Sequence, residues 1–177
     1  MTGGSTYGQR GSVRSGRNAE PMDDDEPETA GVALPPPLLF ATALAFGLAA
    51  SRLGPCAEKS VRFARVLGGA SVAAGIALGA ATIAALKRAG TNPDPYRPTT
   101  ALVTTGMFEW TRNPAYVGAT SIYVGIAMYT RSLPAFVLLL VVLALLDRLV
   151  VTPEERYLER RFGDDYRRYC EMVPRWF

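Results

Sequence analysis

Two short stretches hold the residues best suited to chemistry. The first is Arg112-Asn113-Pro114-Ala115-Tyr116-Val117-Gly118, the second Thr152-Pro153-Glu154-Glu155. Asn is a favoured N-cap and Pro a favoured first helical residue, so Asn113-Pro114 opens a helix. A helix start also presents free N–H groups and a partial positive charge, suited to an anion such as a carboxylate. Tyr116 lies near the same end. Spacing alone leaves both a plain cap and a ligand site open.

In the second stretch, Thr152 as N-cap, Pro153 at N1 and Glu155 at N3 spell a capping box, which explains Glu155 without a ligand. Glu154 is left over. Beside a membrane its carboxylate can pair with an amine or accept from ribose hydroxyls; the plain alternative is a solvated acid in the first turn. Just before it, Asp147-Arg148 close an apolar run. Ionisable residues at membrane depth are costly and often functional, whereas at its edge they snorkel or pair with each other.

Composition removes several other chemistries. The 177 residues include no histidine, which excludes His triads, His bases and His-ligated metals. The two cysteines, Cys56 and Cys170, make neither a disulfide framework nor a zinc site, so no metal is expected. A net charge of +3 is too weak and scattered to suggest nucleic acid. No glycine-rich nucleotide fingerprint follows a predicted strand, which argues against a Rossmann enzyme.

The elements that must position these residues are apolar. Residues 1–33 contain no Leu, Ile, Phe or Trp and are expected to be a disordered tail. Residues 34–177 form the second unit. Within it, spans of about 34–53, 66–86, 114–130 and 132–152 are nearly free of charge. A bilayer core needs about 20 helical residues, with a lower limit near 17. Four such runs without a polar face predict an all-α, polytopic membrane bundle of about four transmembrane helices. The first run reads as a retained helix rather than a signal peptide: its leader is long and mixed in sign, and no A-x-A site follows. The second run contains Gly75-Ile-Ala-Leu-Gly79, with Gly68, Gly69 and many Ala nearby, and these small residues suit close helix packing, although a Gly- and Ala-rich gene would give the same pattern. The third and fourth runs form a tight antiparallel hairpin.

With both termini cytoplasmic, 14 of the 19 Lys and Arg fall inside and 5 outside. Both polar stretches then share the cytoplasmic side. Segment 153–177 is a short amphipathic helical region. Gly163 ends one helix and Asp164-Asp165 start another; Tyr157, Leu158, Phe162, Tyr166 and Tyr169 make the apolar face, and Cys170 packs.

Taken in order, these pieces resemble the isoprenylcysteine carboxyl methyltransferase family and the related phospholipid N-methyltransferases of membranes. The resemblance runs from Leu102-Val103-Thr104-Thr105-Gly106-Met107-Phe108 through Arg112 to Gly118. It continues with an apolar hairpin, Glu154-Glu155, Phe162-Gly163-Asp164-Asp165-Tyr166, Tyr169 and Val173-Pro174-Arg175. It covers about half of the chain.

The resemblance implies an integral membrane methyltransferase that uses S-adenosyl-L-methionine, with a lipophilic acceptor presented by the bilayer. It implies a cofactor pocket containing Thr100, Ala101, Leu102, Val103, Phe108, Asn113, Pro114, Ala115 and Tyr116, closed by Glu154 and Glu155. It further implies a substrate-binding arginine, for which Arg148 is the nearest candidate. Asn113 stands where the family often has His, which keeps a hydrogen-bonding role and loses imidazole charge. Phe108 stands where Tyr is common, which removes a hydroxyl. A phospholipid amine or a small thiol is the alternative acceptor, and a membrane scaffold without catalysis is the non-enzymatic alternative.

Overall fold

The computed structural model describes residues 35–52, 61–93 and 97–176. The expected tail, Cys56 and Lys59 lie outside the described residues. Among those described there is helix and loop and no strand. The main elements are α1 (Pro36–Ser51), α2 (Val61–Arg88), α3 (Pro114–Thr130), α4 (Leu133–Leu146) and α5 (Thr152–Met172). A 3₁₀ turn, Gly106–Glu109, sits in the loop between α2 and α3.

α1, α2, α3 and α4 coincide with the four uncharged runs. Two helical stretches, Arg62–Arg88 and Leu133–Met172, are long and apolar enough to cross a membrane. α1 is apolar but has 16 residues, and α3 has 17. Phe46, Ile76, Val137 and Leu140 are exposed on the bundle's outer faces. A soluble bundle would place polar groups there.

Glycine decides how α2 and α3 meet. A Cβ on Gly75 would lie 2.5 Å from Gly118 O, and one on Gly68 would lie 2.6 Å from Gly125 O. The reverse contacts are also close, 2.9 Å from Gly118 to Gly75 O and 2.6 Å from Gly125 to Gly68 O, so two pairs of glycines, each seven residues apart, let the backbones touch antiparallel. Small-residue packing is therefore real, and the two α2 glycines whose own Cβ would have no room are Gly75 and Gly68. A Cβ on Gly79 would meet nothing within 4 Å. α4 leans on α1 in the same way: a Cβ on Gly47 would lie 2.5 Å from Ala135 Cα. Ser132 fastens this end, its hydroxyl donating to Gly47 O at 2.9 Å and accepting from Ala135 N at 3.2 Å. Tyr123 crosses from α3 to donate to Ala135 O at 2.9 Å.

These pairings put the start of α1, the end of α2, the start of α3 and the end of α4 at one end of the bundle. Both polar stretches therefore meet there, as the shared-side reading requires.

Two helix boundaries differ from expectation. Thr152 opens no new helix: its φ and ψ are helical (−63°, −44°), and α4 runs through a π-turn, Asp147–Val151, into α5. The Thr152 hydroxyl donates back to Asp147 O at 2.8 Å, so there is no capping box. The widened turn precedes Pro153, which has no N–H and whose ring crowds the carbonyl four residues back. Asn113 does occupy the cap position of α3 with Pro114 at N1, but its side chain makes no cap bond. At Gly163 the expected break is present, with φ 52° and ψ −126° turning α5 sharply. Tyr157, Tyr166 and Tyr169 are the buried face of α5, with Leu158, Phe162 and Cys170 partly buried beside them.

Candidate active site

A cavity of about 630 Å³ opens at this end. Its walls come from the starts of α1 and α3, the end of α2, the loop before α3, and α5. Ala101, Leu102, Val103, Phe108, Asn113, Pro114, Ala115, Tyr116, Glu154 and Glu155 all line it.

The structure does not bring Thr100 or Arg148 into the wall. Thr100 faces away, its amide donating to Thr91 Oγ1 at 3.1 Å and its hydroxyl to Gly90 O at 3.0 Å. Thr99 lines the cavity in its place, with its amide donating to the Tyr157 hydroxyl at 3.1 Å. Arg148 is exposed on the π-turn. Asp147 pairs with Arg175 Nη1 at 3.1 Å rather than with its neighbour.

The two glutamates have different surroundings. Glu155 is bracketed by cations: Arg112 Nη1 lies 3.2 Å from its Oε1, and Arg175 Nη2 pairs with its Oε2. Its side chain is 14% exposed. Glu154 accepts a hydrogen bond from the Tyr116 hydroxyl at 2.8 Å. It is not the solvated first-turn acid of the plain reading. It stands beyond the apolar stretch of its helix, and burial first, with the nearby Glu155 charge, pushes its carboxyl up to about 7 against the opposing Tyr116 bond.

The Asn113 side chain does not bond as a simple cap would. Its Nδ2 donates to Arg175 O at 3.1 Å, and the Thr111 hydroxyl donates to the same oxygen at 2.9 Å. Arg112 N donates to Pro174 O at 3.1 Å. The last residues are thus strapped across the loop before α3, and Arg112 and Arg175 reach Glu155 from both sides of the strap. Position 113 needs a donor to a backbone carbonyl, which an amide supplies as well as an imidazole.

In the first turn of α3, Pro114 has no N–H, and the Tyr116 and Val117 amides both donate to Asn113 O at 3.1 Å. Among the described residues this leaves the Ala115 amide as the free donor of that turn. Burial pushes the Tyr166 and Tyr169 phenols upward, so both remain protonated. The Tyr169 hydroxyl donates to Phe108 O at 2.7 Å and fixes the 3₁₀ turn against α5. Phe108 therefore sits in the wall through its backbone and ring, and lacks the hydroxyl that a tyrosine would add.

Sequence reading placed no role on Arg112, Arg175 or Thr82 and gave Tyr166 only a place on the apolar face of α5, yet all four bear on this site. Arg112 and Arg175 lay inside the quoted motifs, but which acid each meets is a long-range fact. Thr82 was visible as a hydroxyl within an uncharged run; it is buried, lines the cavity, and donates to Leu78 O at 2.8 Å.

The fold and site define an all-helical protein with apolar outer faces and one acid-cornered cavity where its helix ends converge. A family model described as phospholipid methyltransferase matches residues 63–165, more than half of the chain. The chain belongs to that family, which takes in the isoprenylcysteine-type membrane methyltransferases. A protein of Haemophilus influenzae, named only as uncharacterized, is 40% identical over 37 residues. That match covers 21% of this chain and 59% of the relative's own length. No solved structure matches.

Proposed function

We propose that this chain is an integral membrane methyltransferase that takes its methyl group from S-adenosyl-L-methionine and gives it to a lipophilic acceptor. The observation that carries this is that both polar stretches line one cavity in a chain of this family. Its volume suits a nucleoside-sized cofactor together with the head of an acceptor.

The residues present fit such a cofactor. The free Ala115 amide, at a positive helix end, suits its carboxylate. Glu154 offers an acceptor for ribose hydroxyls or an amine, and Ala101, Leu102, Val103 and Phe108 offer an apolar wall for a flat base. When bound, the cofactor supplies an activated sulfonium methyl. The chain then has to orient an acceptor in line and exclude water. Glu155, paired with two arginines, holds the wall together.

The exposed apolar faces and the two long apolar helices support placement in a bilayer with four helical spans, α1 and α3 being the short ones. The Lys and Arg distribution supports a cytoplasmic cavity.

One observation favours an amine acceptor over a prenylcysteine carboxylate. A carboxylate attacks without a base, whereas an ammonium must first lose a proton. A Glu154 carboxyl poised at about 7 and joined to Tyr116 can accept it.

The test is purified protein with methyl-labelled S-adenosyl-L-methionine and a panel of prenylcysteines, aminolipids and thiols. Label transfer to one lipophilic class is expected. Cofactor binding without transfer to any of them points to a retained fold without catalysis, and absence of binding overturns the assignment.

A further inference from the structure

Charge is unevenly divided along the chain. Residues 1–34 hold three Lys and Arg against six Asp and Glu, whereas residues 35–177 hold sixteen against ten. The six acids of the first part are Glu20, Asp23, Asp24, Asp25, Glu26 and Glu28, nine residues of sequence without a cation. Blocks of like charge of this size commonly serve as interaction segments. The run ends seven residues before Pro35, and the next two residues, Pro36 and Pro37, belong to the wall of the large cavity. The acidic run is therefore tethered at the edge of that cavity. At about 5–6 Å times the square root of the residue number, its seven- to fifteen-residue tether spans roughly 15–20 Å, about the width of two helices.

The same edge carries unmatched positive charge. Lys87 and Arg88 close α2 directly after the wall residue Leu86. On α5, Arg156 precedes the wall residues Tyr157 and Leu158, and Arg160 lies one turn farther on. All four cations are exposed, and among the described residues none of them has an ion-pair partner. By contrast, Arg167 is matched by Glu159 and Asp164, Arg168 by Asp165, and Arg175 by Asp147 and Glu155. Cations gathered on one edge attract an anionic partner. A tethered run of six acids meets them at an effective concentration on the order of millimolar, without recruiting a second molecule.

We propose that residues 20–28 dock across Lys87, Arg88, Arg156 and Arg160, so that the chain's own N-terminal segment forms an acidic collar at the edge of the cavity. The inference stands apart from methyl transfer.

The two lysines of the chain, Lys59 and Lys87, provide the test. Lys87 lies in the last turn of α2, whereas Lys59 precedes its start at Val61, and 28 helical residues separate the two ends by about 40 Å. Full-length protein in uncharged detergent is treated with a carbodiimide, which couples a carboxylate directly to an amine, and the coupled peptides are read by mass spectrometry. Coupling of residues 20–28 to Lys87 is expected to exceed coupling to Lys59 by about tenfold or more. It should fall severalfold in a doubly substituted Arg156→Gln, Arg160→Gln protein whose helical melting is unchanged. It should fall likewise in about 0.5 M salt, where the screening length shortens to about 4 Å. Equal coupling to both lysines, or coupling indifferent to salt and to the arginine substitutions, overturns the proposal. Mixing isotope-labelled and unlabelled chains tests the tether: coupled peptides of mixed origin assign the edge to a second copy and overturn the intramolecular dock. Coupling that persists in nanodiscs of phosphatidylcholine and disappears in those containing phosphatidylglycerol assigns the four cations to anionic headgroups and overturns it as well.

Discussion

The Tyr116 hydroxyl donates to Glu154 Oε1 at 2.8 Å, joining the first turn of α3 to the first turn of α5 across 38 residues of sequence. This bond links the two motif stretches directly. It also lowers the Glu154 pKa against the larger effect of burial. Tyr116→Phe is expected to move the acidic limb of the pH–rate profile to higher pH while leaving the fold intact. The profile for wild type and variant, with circular dichroism, checks this.

Glu154 also predicts how stability changes with pH. Its carboxyl is raised in the folded state from the ordinary glutamate range to about 7, so folding favours the protonated form. The contribution is fully present at acidic pH and is lost as pH rises toward 7. If the carboxylate serves as base, activity rises over the same interval. Glu154→Gln should flatten this part of the stability profile and abolish most activity. Thermal melts from pH 4 to 8 decide it, and a slope that survives in the variant would sink the assignment.

Glu155→Gln is expected to behave differently from a lost helix cap. The carboxylate holds Arg112 and Arg175, and charged hydrogen bonds contribute roughly 1.5–3 kcal/mol each. The variant should melt lower and release the strap at Pro174 and Arg175. Its cofactor affinity should fall less than that of Glu154→Gln. Melting temperature and protease susceptibility near the C-terminus read out the difference.

The glycine face gives a prediction independent of chemistry. Gly75→Ala places a methyl group against Gly118 O and should cost about 1–3 kcal/mol by overpacking. Gly79→Ala meets open space and should be neutral, or stabilising by up to about 1 kcal/mol through helix propensity. Thermal unfolding of both in one detergent is the comparison. Equal losses would show that the α2–α3 contact is not the one described.

The chain's own sequence was enough to predict its apolar helices, the start of α3 at Pro114, the break at Gly163 and the family. Those features depend on local composition, on proline and glycine chemistry, and on ordered motifs, all readable along the chain. It could also suggest that the two polar stretches share an end, because alternating helices return a chain to the same side. It misread Thr152 because a capping box is a local pattern. Whether a helix begins there depends on whether the preceding one has stopped, and α4 continues through a π-turn into α5. Only the tertiary structure assigned different tasks to two adjacent glutamates. Residues 154 and 155 project in directions about 100° apart on a helix, so one reaches Tyr116 and the other two arginines. The same holds for Asn113, whose amide holds a carbonyl 62 residues away rather than its own helix. Partners at such separations are selected by packing, in which every helix takes part, and no spacing between neighbours encodes them.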